Sequence, residues 1–126
     1  MRLAATALVF ALALAPGSGL AHGELPAALH GGLVQEASEM YLELVVKGSD
    51  VTVWVLSEDR KPVPAAQISG TATVLVGGKS HKVELDAAEA NSVRGKLPVE
   101  AKGRVVATVA LKVGAKAASA RFMPAA

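Results

Sequence analysis

The sequence predicts an all-β, antiparallel domain, and three observations predict it. Apolar residues alternate with polar or small ones over runs of about four to nine residues. Clusters of Gly, Pro, Ser and Asp separate those runs at intervals of about 8 to 12 residues. No stretch holds apolar residues at helical spacing for long: the best candidate, DAAEA at 86–90, stops at Asn91 and is too short to nucleate more than one turn. Aromatics are 3% of a chain that is 52% hydrophobic, so the core is expected to be built from small, often β-branched side chains.

The elements follow in order. Residues 1–21 carry Arg2, an unbroken apolar run from Leu3 to Ala15 and a Pro-Gly-Ser-Gly breaker, the layout of a cleaved secretory signal peptide. The run is shorter than the roughly 20 residues a membrane span needs, so no membrane insertion of the mature chain is expected. Gly19 and Ala21 occupy the positions a signal peptidase reads, which puts the new amino terminus at His22 and the mature protein in a periplasm. Residues 22–32 read as a flexible His/Gly leader, and 33–126 as a single domain.

A short strand is expected at Leu33 to Glu36. Met40 to Val46 follows, with Leu42, Leu44 and Val46 on one face and Tyr41, Glu43 and Val45 on the other. Gly48-Ser49-Asp50 turns into Val51 to Leu56, whose two apolar faces mark a central strand, with Trp54 expected to plug the centre of the core. The charged, proline-bearing stretch Ser57 to Pro64 is a surface connection, because proline cannot donate to a ladder. Thr71 to Val76 and Ser80 to Leu85 form a hairpin about Gly77-Gly78. Ser92 to Leu97 is a short strand, Val105 to Val113 the longest, and Gly114-Ala115-Lys116 closes a last hairpin onto Ala117 to Met123. Seven or eight such strands suit an Ig-like antiparallel β-sandwich, with a small β-barrel as the alternative.

Composition narrows function by exclusion. Thirteen Lys and Arg nearly balance eleven Asp and Glu, and no basic run is interleaved with stacking aromatics, so nucleic acid is not an expected partner. There is no G-x-S-x-G elbow and no phosphate-cradling glycine loop, so the protein is read as not an enzyme. Without cysteine there is no disulfide and no thiolate site.

Nitrogen, oxygen and thioether donors remain. A mature His22 would offer an α-amine and an imidazole, and His30 a second imidazole; such nitrogen-rich sets suit Cu(II), and Zn(II) accepts the same donors. Glu24 could add an oxygen. His81, Met40 and Met123 are weaker candidates: the histidine would need the fold to bring it to the leader, and the methionines are soft donors suited to Cu(I) but are common core filler.

The order of HGG at 30–32, YLELVVKGSDVTVWVLSEDRKPVP at 41–64, GTATVLVGGK at 70–79, Leu85-Asp86 with Asn91-x-x-x-Gly95, VVATVALKVG at 105–114 and ARF at 120–122 resembles small periplasmic proteins encoded with bacterial heavy-metal efflux systems. It is also similar to an accessory domain of some periplasmic adaptor subunits of resistance-nodulation-division metal exporters. The resemblance covers residues 30 to 122 and maps the histidine of the family's HGG leader onto His30. The leader here is thin, with His22 its only other histidine, and Ser57-Glu58-Asp59-Arg60 replaces the family's Asp and Gly before Lys-Pro. The resemblance implies an accessory of copper or cobalt/zinc/cadmium efflux or homeostasis that binds an ion weakly through its leader and meets an efflux adaptor or other envelope protein. The alternative from the residues alone is a non-metal interaction module that pairs through an exposed strand edge.

Overall fold

A computed structural model describes residues 24–124. Residues 1–21, expected to be a signal peptide, and His22 lie outside the described residues.

Eight strands make up the domain: β1 (Leu33–Ala37), β2 (Met40–Lys47), β3 (Asp50–Leu56), β4 (Ile68–Val76), β5 (Lys79–Ala87), β6 (Ser92–Lys96), β7 (Val106–Val113) and β8 (Lys116–Phe122). The only helical element among the described residues is a 3-10 turn at Ala65–Gln67. All pairings are antiparallel, in the order β1-β2-β3-β6-β5-β4-β7-β8. Four two-residue connections make local hairpins, at 38–39, 48–49, 77–78 and 114–115.

The all-β, antiparallel expectation holds, and of its two forms the barrel is the one seen. A sandwich needs two separate sheets; here β5 and β6 pair through Asp86–Arg94 and Ala87–Val93 and join both halves into one sheet that curls almost closed. Gly95 makes that junction possible. A Cβ at this position would lie 2.4 Å from the Glu84 carbonyl oxygen and 2.3 Å from Val83 Cγ1, so only glycine lets β6 approach β5 this closely. Closure is finished at the tips: the Ser38 hydroxyl donates to the Ala117 carbonyl at 2.6 Å, and the Lys116 ammonium stands 3.6 Å from the Glu39 carboxylate. Along the rest of their length β1 and β8 share no ladder.

The barrel interior is filled by one face of each strand. Leu42 and Leu44, then Val51, Val53 and Val55, Ala72 and Val74, Val83 and Leu85, Val93, Val109 and Leu111 are all buried there. Phe122 is the largest fully buried side chain. Trp54 is not in the core, contrary to expectation. It alternates with Val53 and Val55, so once those valines face inward the indole must stand on the outer face of β3. Strand boundaries also shift: β4 begins at Ile68, three residues early, and β5 runs on to Ala87 because its end is held by β6.

Candidate metal site

On the outer face of the β2–β3 hairpin, Glu43 and Trp54 are directly paired across the two strands, with Tyr41 opposite Leu56 in the next outward-facing position. A carboxylate in such a position is ordinarily solvated. Glu43 is only 6% exposed, because the leader lies over it.

The leader has no regular secondary structure, yet it is fastened at both ends of its described length. Glu43 accepts the backbone N–H of Leu29 at 3.2 Å, of His30 at 2.8 Å and of Gly32 at 2.9 Å. Three main-chain donors of the segment expected to be a flexible leader thus meet this one carboxylate. At the other end, the Arg60 guanidinium donates to the Glu24 carbonyl at 2.8 Å and sits over the Tyr41 ring at 5.5 Å. Gly32 lets the chain pass close to β2: a Cβ there would fall 2.2 Å from the Leu44 carbonyl oxygen and 2.9 Å from Val45 Cγ2.

The same carboxylate holds the His30 side chain. Nδ1 lies 2.9 Å from Glu43 Oε1, and the imidazole stacks on Trp54 with ring centroids 3.6 Å apart and planes inclined by 6°. Burial by itself raises the Glu43 pKa, but the hydrogen bond from the His30 ring and those from the Gly32, His30 and Leu29 amides outweigh it, leaving the carboxyl below its ordinary value of 4.5. An ionised carboxylate only accepts, so Nδ1 carries the hydrogen. In the neutral ring Nε2 then carries the lone pair, on a side chain 34% exposed, with no hydrogen-bond partner among the described residues. A carboxylate that fixes the tautomer and plane of an imidazole is the usual support of a metal-bound histidine.

Among the described residues the remaining candidates form no metal-ligand group with it. His22 lies outside the described residues. Glu24 is exposed and engages the barrel through its carbonyl, not its carboxylate. Met40 faces inward at the start of β2, 5% exposed within the core, so its sulfur is packing. His81 pairs with the buried Val74 on the inward-facing side of β5, at the rim of the β4–β5 hairpin, whereas His30 is outside β2–β3. Met123 is 53% exposed just beyond β8, and the next residue, Pro124, lines a surface depression with Gly31, Gly32 and Val45. Among the described residues no three His, Cys, Asp or Glu side chains converge as a metal group.

Sequence reading missed Glu43 and Trp54 as site residues. The alternation of MYLELVV placed Glu43 outward, but nothing in the order of residues shows that the leader folds back over it. The chain matches no family model, no curated protein and no solved structure.

Proposed function

We propose that this protein is a periplasmic accessory of heavy-metal efflux or homeostasis that holds one copper or zinc ion weakly through its leader. The observation that carries the reading is the Glu43–His30 pair: a tautomer-fixed imidazole on a rigid sheet face, with Nε2 turned away from its carboxylate. This role is also the one that the resemblance read from the sequence of residues 30–122 implies. The described donor set fits an ion only in part. One imidazole leaves the other positions of a four-coordinate ion to water or to donors from residues 22–24, which suits weak capture and transfer rather than storage.

Copper titration of the protein tests it, with His30→Ala in parallel. Binding in the micromolar range that is lost in the variant is the expected result; equally weak affinities in both remove the proposal.

A second reading has its own observation. The facing edges of β1 and β8 share no ladder, and Leu29, whose amide is held by Glu43 of β2, stands 70% exposed on the leader. These features suit a non-metal module that takes an envelope partner by strand addition. Capture of an efflux adaptor that persists under chelator and in His30→Ala favours this reading over the first.

A further inference from the structure

The two strands at one side of the seam are of unequal length. β2 runs for eight residues, Met40–Lys47, but β1 has only five and enters the ladder at Leu33, opposite Leu44. The alternation of an antiparallel ladder decides which main-chain groups this leaves bare. A two-residue hairpin is closed by a hydrogen-bonded pair, here Lys47 with Asp50 on one side of β2 and Met40 with Ala37 on the other. Odd-numbered residues of β2 therefore turn their N–H and C=O to β3, and even-numbered ones turn theirs to β1. Val46 belongs to the second set. The chain that would stand opposite it leaves the ladder to meet Glu43, and Val46 has no main-chain partner on that side among the described residues.

Beside Val46 the seam opens into a depression of about 250 Å³ lined by Leu33, Leu44, Val45, Val46 and Val105. That is room for apolar side chains, well beyond a single water. Its rim is basic. Lys47 follows Val46, Lys102 and Arg104 flank the lining residue Gly103, and the Arg104 guanidinium reaches the carbonyl of Pro124, also in the lining, at 3.4 Å. Glu100, the one acid of that loop, is paired with Lys102 at 3.9 Å. A bare N–H and C=O, an apolar floor and a cationic rim together make a slot for an extended chain.

We propose that the open half of the seam, along Val46 of β2, is where a partner adds a strand, and that the partner segment is extended and apolar with Asp or Glu at its flanks. This rests on the strand-addition reading above and gives it a place and a partner chemistry. The segment's main chain pairs with Val46, its alternate side chains fill the depression, and its carboxylates meet Lys47 and Arg104. Val46→Pro isolates the first of these contacts: proline removes the N–H that faces the seam and no bond to β3.

The experiment uses the intact protein and two end-blocked peptides, Asp-Val-Thr-Val-Asp and Lys-Val-Thr-Val-Lys, with hydrogen exchange of the seam amides as the readout. The acidic peptide should slow exchange at Val46 about 10-fold or more at saturation and bind about 2- to 10-fold more weakly to Val46→Pro. Its advantage over the basic peptide should shrink in about 1 M salt and in Arg104→Glu. Protection at Val34, Glu36, Ser119 or Arg121 in place of Val46 overturns the slot and leaves strand addition standing. Equal affinities for the two peptides overturn the acidic partner. Protection of no seam amide by either peptide at about 5 mM overturns slot and strand addition together. The wild-type comparison of the two peptides needs no variant, so a misfolded substitution does not rescue the idea.

Discussion

Replacing Glu43 by Gln should release the leader while leaving the barrel folded. The geometry sets the size of the effect. Each carboxylate oxygen accepts two hydrogens: Oε1 those of the Leu29 amide and the His30 ring, Oε2 those of the His30 and Gly32 amides. Gln puts an NH2 group at one of those positions, where it faces two donors. If the NH2 replaces Oε2, both bonds there are lost; if it replaces Oε1, the imidazole can accept by changing tautomer, and one is lost. The surviving bonds become neutral, and bonds to a charged acceptor are worth about 1.5–3 kcal/mol each against about 0.5–1.5 for neutral ones. These contributions are not additive, and a net cost of about 2–3 kcal/mol is expected. It falls on leader docking rather than on global unfolding, since the core beneath, from Leu42 to Val109, is unaltered. Trp54, the single tryptophan, is the reporter. Loss of the stacked His30 ring should shift and brighten its emission with no change in β-sheet circular dichroism. Emission and leader amide protection both unchanged, to within about 0.5 kcal/mol, would refute the reasoning that Glu43 fastens the leader.

Acid should do in the wild type what Gln does at neutral pH. The folded-state pKa of Glu43 lies below the ordinary 4.5, so its stabilising effect is present above that value and is lost as pH falls through the folded pKa; the protection factors of the Leu29 and Gly32 amides should fall only below that value. Glu39→Gly should leave the protein as stable or up to about 0.5 kcal/mol more stable in urea denaturation. It relieves a positive φ of 64° on a non-glycine residue, worth about 1–2 kcal/mol, against glycine's unfolded-state entropy and an exposed ion pair with Lys116. Phe122→Ala should cost about 3–5 kcal/mol in the same assay, because the ring is fully buried and its loss leaves a cavity; a cost below about 1 kcal/mol would place the ring outside the core.

Alternation and turn residues were enough to read the hairpins. Val51, Val53 and Val55 against Thr52, Trp54 and Leu56 is a period-two pattern, and Gly77-Gly78 between apolar runs is a turn on local grounds alone. The Ser38-Glu39 connection carries none of the glycine or asparagine that positive φ values favour, so its tight geometry is imposed by the tertiary contacts of Ser38 and Lys116. The choice between sandwich and barrel turned on Gly95 and on two residue pairs between β5 and β6, contacts that no local pattern encodes. Trp54 is large and apolar, which favours a core position, but its phase opposite to Val53 and Val55 decides its face. His30 stood out by its residue type. Its orientation did not, because it depends on a carboxylate thirteen residues away and an indole on the neighbouring strand.

The seam where β1 and β8 meet without a ladder bears on how the protein comes apart. β1 is five residues long and is hydrogen-bonded on one side only, to β2, while the residue just before it, Gly32, is tied to Glu43 of β2. Leader and first strand therefore form a short unit whose ladder bonds run to β2 alone, continued into the sheet through residues 38–39. When that unit swings out it exposes the edge of β2 and carries a strand of matching register, and a second copy opened in the same way can exchange with it. The contacts that hold the leader on Glu43 thus also guard this chain against swapping its amino-terminal strand.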